Sequence, residues 1–367
     1  MRNKRHFQVA GAIVTVLALC MLAIYTPARA ASHPARTLGA TTSIDANVYL
    51  TDQMLRPMFQ SNIDQQIPQM VGNAIASMVK QLPKQDQSWA ALMANALLQP
   101  SATLVSLKPE VSGLLTTLKI SLYPGDRKAT ASSILISFKV INASTIQVTA
   151  QPSANGGPSL VNGPLATFQV PIGSLNRIAA TPQCGDADLN INLKFPVALG
   201  QASSQNARTA LPVAYMQRTD AAAPTSYIEI PSSSLAQLGG SIGSIPVSSS
   251  LTAQNIRVGV AGTNLTTTSD ILWYGLNIGT AVSTMAPAAS NGNLVVHVLK
   301  TDLQILGGLI TFPINSYNQQ IEQMLNAKLN GALTGKFTVT QAAIGFNPHL
   351  ACAATDSLIL GGTIALR

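Results

Sequence analysis

The sequence predicts an α+β fold, with a long apolar N-terminal helix and a second, C-terminal helix packed on a highly curved antiparallel β-sheet. Three observations carry this expectation. Between Thr51 and Leu82 apolar residues recur at steps of three and four, the spacing that gives a helix one apolar face. From Gly113 onward the period changes to two, as in strands with one buried face. Near the C-terminus a strand ends at Phe312-Pro313, and a helical pattern and two closing strands follow.

Residues 1–30 read as a targeting segment outside the fold. Arg2, Lys4, Arg5 and His6 precede an unbroken apolar run from Val9 to Tyr25, and Ala28-Arg29-Ala30 offers a cleavage site. An uncleaved anchor is the alternative, since that run is at the short limit for a span. Cys20 follows Leu19, a poor context for lipidation. Removing the segment takes four positive charges and no acidic residue, so the formal net charge falls from +8 to +4. No basic stripe remains, and nucleic acid is not an expected partner. Charged residues make up only 10% of the chain against 47% apolar, so the fold must bury apolar area on several sides or keep an apolar cavity.

Residues 31–48 follow as a polar, mobile lead-in, and 49–367 as a single α+β domain with a candidate sub-domain boundary near 200–224. In the long helix Thr51 can cap the start and Pro83 marks the end, while Pro68 predicts a kink or break. Its four methionines, Met54, Met58, Met70 and Met78, suit either core packing or a pliable wall for a flexible apolar ligand. Ser88 to Leu98 reads as a shorter helix. Alternating strands then run on, the clearest being Leu189 to Val197. Two short repeats punctuate them. Strand-Pro-x-x-Ser occurs at Pro171, Pro231 and Pro313, where Pro presets the first helical φ; the first two copies predict brief turns and the third a helix. Leu-Gly-Gly-x-Ile occurs at Leu238, Leu306 and Leu360, and paired glycines within strands predict bends or close backbone approach in a curved sheet.

Chemistry-bearing patterns are few. Gly239-Gly240-Ser241-Ile242-Gly243 fits a nucleophile elbow, with Asp270 and His297 following in hydrolase order. Ser244-Ile245-Pro246 cannot hold the helix that an elbow requires, so the serine hydrolase reading ranks third. Asp186-Ala-Asp188-Leu-Asn190 resembles the start of a calcium loop but has Ile191 where glycine belongs. It reads better as the polar face of a strand. No histidine has a partner at metal-ligand spacing, and neither a metal nor another cofactor is expected. Cys184 and Cys352, the two cysteines beyond the targeting segment, read as a disulfide in an exported chain.

From Ile310 to Leu366 the chain passes through Phe312-Pro313, a helix carrying Ile321, Leu325 and Leu329, two strands split by Asn347-Pro348-His349, and a last Leu-Gly-Gly-x-Ile. With the long N-terminal helix and the many strands, this order of elements resembles the TULIP superfamily, the tubular lipid-binding group with a bactericidal/permeability-increasing protein-like fold. Pro68 and the cysteine spacing depart from that pattern. The resemblance implies a secreted or surface-held, non-catalytic protein with an apolar groove between helix and curved sheet. Its partner would be an acyl lipid or other apolar small molecule, with membrane-surface contact beside it. The expected groove walls are Met58, Ile63, Met70, Ile75, Met78, Ile314, Ile321 and Leu325. The rival expectation is a structural or adhesive β-rich surface protein with a filled core.

Overall fold

Period-two patterning sets most of the backbone as strand. The computed structural model describes residues 42–126, 129–153, 163–169, 174–197, 223–241, 243–333 and 337–364, all within one contact unit, Thr41–Arg367. The expected targeting segment, the start of the lead-in, the turn at Pro171 and residues 200–222 of the candidate boundary lie outside the described residues.

Strand β1 (Thr42–Thr51) runs into helix α1 (Asp52–Lys80), and helix α2 (Lys84–Leu97) packs against it. An antiparallel meander follows: β2 (Ser101–Glu110), β3 (Gly113–Ser121), β4 (Thr130–Asn142), β5 (Thr145–Pro152) and β6 (Gly163–Gln169). Next come the hairpin β7 (Ser174–Cys184) and β8 (Ala187–Val197), then β9 (Ser226–Pro231) and helix α3 (Ser232–Ser241). A second meander contains β10 (Ile245–Pro246), β11 (Leu251–Ala261), β12 (Asn264–Trp273), β13 (Leu276–Ser290), β14 (Asn293–Ile305) and β15 (Ile310–Pro313). Helix α4 (Asn318–Leu333) and strands β16 (Phe337–Ile344) and β17 (Ser357–Ile364) complete the described chain. The third sheet is assembled from distant segments in the order β16-β17-β9-β1-β8-β7. One contiguous apolar core joins the sheets, with Leu114 and Ile136 from the first meander, Val258 and Val296 from the second, and Leu189 and Ile191 from the third sheet.

The predicted fold class is corrected. The protein is mostly β, with three antiparallel sheets in place of one and more than twice as many residues in strands as in helices. Nor does a long apolar helix lie along a sheet. Helix α1 spans 29 residues, but among its described side chains the fully buried ones are Leu55, Phe59 and Ile63, one per turn at its start. Beyond them Asp64, Gln65, Gln69, Asn73 and Ser77 are exposed. The methionines, isoleucines and alanines that set the periodicity are diluted by Gln, Asn, Ser and Gly, too polar a mixture to embed. The helix also continues through Pro68 without a break.

Local differences have equally local causes. Residues 42–48 of the expected lead-in form most of β1, with Ile44, Ala46, Val48 and Leu50 buried at every second position. Thr51 precedes α1 but does not cap it, because its hydroxyl donates to the Thr225 carbonyl at 2.8 Å. The Asp188 carboxylate of β8 accepts the Asp52 backbone N–H instead. After Pro231 the chain forms the ten-residue α3 where a brief turn was expected, because Leu235 and Leu238 bury against β11 and β1. The first Leu-Gly-Gly copy is therefore helical, and a Cβ on Gly239 would stand 2.6 Å from the Val258 nitrogen. The second copy makes a turn between β14 and β15, and only the third lies in a strand. Cys184 and Cys352 are bonded, their Cα atoms 4.9 Å apart, tying the β7–β8 turn to the β16–β17 connection.

Helix α4 finishes a sheet edge. Strand β15 pairs with residues 302–305 of β14, and among the described residues no strand pairs with residues 294–300 on that side. Side chains of α4 take the missing strand's place. Asn330 accepts the Leu294 N–H (3.0 Å) and donates to its carbonyl (2.7 Å), and Asn326 does the same for Val296 (2.7 and 3.2 Å). Glu322 accepts the Val298 N–H (3.2 Å), and Asn318 donates to the Val298 carbonyl (3.3 Å). The match is geometric: four helical residues advance about 6 Å, and two strand residues about 6.6 Å.

Candidate functional site

The second half of α1 and the whole of α2 form a helical hairpin around Gln81, Leu82 and Pro83. Pro83 cannot continue α1, and the Gln81 and Leu82 N–H groups close on the Met78 and Val79 carbonyls at 3.0 and 3.1 Å. Gln87 of α2 fastens the turn by donating to the Leu82 carbonyl at 2.8 Å. At the other end the Gln99 N–H bonds the Leu122 carbonyl at 2.9 Å, fixing the exit of α2 to the end of β3.

A cleft of about 1210 Å³ lies between the two helices and the ends of the first meander. Ile75 and Val79 of α1 and Ala91, Ala94, Leu98 and Pro100 of the following chain give it apolar walls. Ala91, Ala94 and Leu98 recur at helical spacing, so one face of α2 turns small side chains into the cleft. Lys80 and Lys84 are its charged lining residues, and no carboxylate joins them. An apolar slot with two ammonium groups at the hairpin end suits an apolar molecule with an anionic or polar head.

Of the residues expected from the sequence to wall a groove, Ile75 lines this cleft. Ile63 and Leu325 are buried in the common core, and Met58, Ile314 and Ile321 pack half-buried against it. Met78 is 64% exposed. The Met70 side chain lies outside what is described. Ile75 also packs half-buried against the common core, so of the seven with described side chains it is the one that both lines the cleft and meets the core. Sequence reading missed Val79, Ala91, Ala94 and Leu98 as cleft residues, and the two lysines. The signal available was the small-residue stripe on α2, which becomes meaningful only once the hairpin turn sets which face looks back at α1.

Ser241 ends α3 and donates to the Leu238 carbonyl at 2.6 Å. Asp270 accepts from Asn255 at 2.7 Å, and His297 meets Glu322 at 3.1 Å, so each supposed triad member has a partner outside the triad. The Asp186–Asn192 run is strand β8 and its turn, and among the described residues no cluster of three or more potential metal ligands occurs. Glu229 is buried at 3% exposure and accepts from Tyr49 (2.8 Å), Asn47 (2.9 Å) and the Ala354 N–H (2.7 Å). Burial first, and then the Glu229 charge, pushes the Tyr49 phenol far up. This network pins the β16–β17 connection to the sheet and leaves no exposed face for chemistry. Asp188, partly buried and next to Asp52, is pushed up to about 6, chiefly by desolvation.

No family model and no curated protein matches the sequence. Among solved structures the chain is similar to P47 of Clostridium botulinum E1, at 8% identity, over 88% of this chain and 99% of that one, with a TM-score of 0.30. A score that low supports no statement about fold or activity.

Proposed function

We propose that the protein is an extracytoplasmic, non-catalytic binding protein that holds an acyl lipid or another apolar small molecule in the cleft between α1 and α2. The observation that carries this is the cleft itself: about 1210 Å³, apolar-walled, with Lys80 and Lys84 as its charged lining. Sites for small apolar ligands typically occupy about 300–1,000 Å³. Each methylene buried there would gain about 0.8 kcal/mol, so a chain of ten carbons would gain about 8 kcal/mol toward an association cost of about 4–15 kcal/mol. Export is proposed from the N-terminal segment, and the Cys184–Cys352 bond is compatible with an extracellular location. Among the described residues no helix is long and apolar enough to cross a membrane. Kinship with the tubular lipid-binding group is proposed on the order of elements alone.

The test is native mass spectrometry of the purified protein, followed by organic extraction. The expected result is about one equivalent of an acyl-bearing molecule, reduced in Ala94→Trp, whose indole would project into the slot from the α2 wall. A bare mass for the unaltered protein would sink the proposal. It would favour the second reading, a structural surface protein, which one observation supports: core residues such as Leu114, Ile136 and Leu189 are fully buried without any ligand. Esterase activity abolished by Ser241→Ala would overturn both.

A further inference from the structure

Helix α2 has two apolar faces. The cleft takes Ala91, Ala94 and Leu98. On the outer side Trp89, Leu92 and Leu97 are 67%, 66% and 59% exposed, and Met78 and Leu82 of the hairpin add 64% and 42%. A surface helix ordinarily turns charge outward, and one that is apolar around its girth is buried against something. Five large apolar side chains on two short helical segments exceed the scattered exposure normal for a soluble surface. Nothing within the described chain covers them.

Charge decides the occupant. Lys80 and Lys84 flank the tip and are exposed; Asp86 is the one acidic residue on the hairpin from Gly72 to Leu97, and among the described residues neither lysine makes an ion pair. A tryptophan and leucines on one face, with lysines at the margin, are the composition that settles at a bilayer interface: the indole among the head groups, the leucines in the acyl boundary, the ammonium groups on anionic phosphates. A protein partner or a second copy would be expected to bring carboxylates for the same lysines, but this chain's own outer α2 face offers only Asp86.

We infer that the outer face of the α1–α2 hairpin is a docking surface for anionic lipid bilayers. It rests on the cleft reading only for what docking accomplishes: the mouth beside Lys80 and Lys84 then opens at the head-group layer, where an acyl ligand can enter or leave. The apolar part of the surface, Met78, Leu82, Trp89, Leu92 and Leu97, is made of side chains outside the cleft lining, and Lys80 and Lys84 stand where the two meet.

The experiment uses the full chain carrying Trp273→Phe, which leaves Trp89 as its tryptophan. It is mixed with vesicles of phosphatidylcholine, or of phosphatidylcholine with one third phosphatidylglycerol, each also prepared with brominated acyl chains. Wild type and variants share the same N-terminal segment, which adds its own partitioning, so the bromine quenching of Trp89 is the readout that reports on the hairpin. The expected result is a blue shift and bromine quenching of Trp89 on the anionic vesicles. Leu92→Ser with Leu97→Ser should weaken partitioning on the order of tenfold or more, and Lys80→Gln and Lys84→Gln roughly fivefold each. Native mass spectra of the Leu92→Ser, Leu97→Ser protein should retain whatever cleft ligand the parent carries. That separates failure of docking from failure of the cleft reading. Trp89 that stays unquenched, equal partitioning to neutral vesicles, or partitioning unchanged in the leucine variant would overturn the inference. So would self-association that buries Trp89 and disappears in that variant, since it would assign the face to a second copy.

Discussion

The side-chain ladder from α4 to β14 makes a demanding prediction at Asn326. Its amide accepts the Val296 N–H at 2.7 Å and donates to the Val296 carbonyl at 3.2 Å, and Val296 is 1% exposed. Asn326→Ala deletes both bonds at once. A buried backbone group left unpaired costs about 1–3 kcal/mol, so two cost about 2–6. Alanine returns about 0.6 kcal/mol through better helix propensity, and water reaching the vacated edge returns more. The expected net loss is about 1.5–4 kcal/mol. Asn326→Asp keeps an acceptor for the N–H and loses the donor, so it should fall near half of that. Urea denaturation gives the stability change, and hydrogen exchange at the Val296 amide reports the bond itself, with Leu294 opposite Asn330 as the internal control. Helical propensity alone predicts that Asn326→Ala would stabilise the protein. If stability changes by less than about 0.5 kcal/mol and the Val296 amide stays as protected as before, the ladder is incidental and the edge is satisfied another way.

Three further outcomes follow from single sites. Asp188 titrates near 6 in the folded protein against an ordinary 3.8, so the folded state holds the proton more tightly and this group lowers stability as pH rises from about 4 to 6. Asp188→Asn keeps an acceptor for the Asp52 N–H, should remove that slope, and should gain about 1 kcal/mol at pH 7 after halving for partial exposure; urea midpoints at pH 4 and 7 decide it. Gly239→Ala should cost about 1–3 kcal/mol, because its Cβ would meet the Val258 nitrogen at 2.6 Å, whereas Gly240→Ala meets nothing within 4 Å and should be neutral or mildly stabilising in thermal melts. Cys352→Ser opens a bridge of sequence separation 168 and should lower stability by about 2–5 kcal/mol in denaturant; no change would mean that the unfolded chain is not constrained by the bond.

The strands were legible because the inner sheet faces follow a strict period of two, as in Leu189, Ile191 and Leu193, all fully buried. Strand β1 has the same alternation, but Ala46 is a weak apolar signal and the polar stretch before it made the segment read as lead-in. What period and composition could not convey was depth. The apolar pattern of α1 is real, yet the described side chains that it buries fully stand in its first turns, where Arg56 and Gln60 also bond the carbonyls of Leu104 and Ala102. The Asn318, Glu322, Asn326 and Asn330 spacing was visible as well. A polar stripe on a helix ordinarily faces water, and nothing local says that a bare strand edge lies opposite. The cleft was hidden for the same reason, since alanines define a wall only when another helix faces them.

The distribution of burial places the functional weight on the hairpin. The three sheets share a core of fully buried side chains, and α1 is anchored to it by Leu55, Phe59 and Ile63, worth roughly 1.5–3 kcal/mol each. Among the described side chains of the later part of α1 and of α2, Ile75 packs half-buried against that core, whereas the large side chains Met78, Trp89, Leu92 and Leu97 stand in solvent and the inner face borders the cleft. A chain shaped by stability alone would end α1 near Pro68 or clothe α2 in charge, since exposed Trp and Leu invite aggregation. Keeping an apolar interior and an apolar exterior on one thin hairpin makes physical sense if both are used, one for a small apolar molecule and the other for the surface that supplies or receives it.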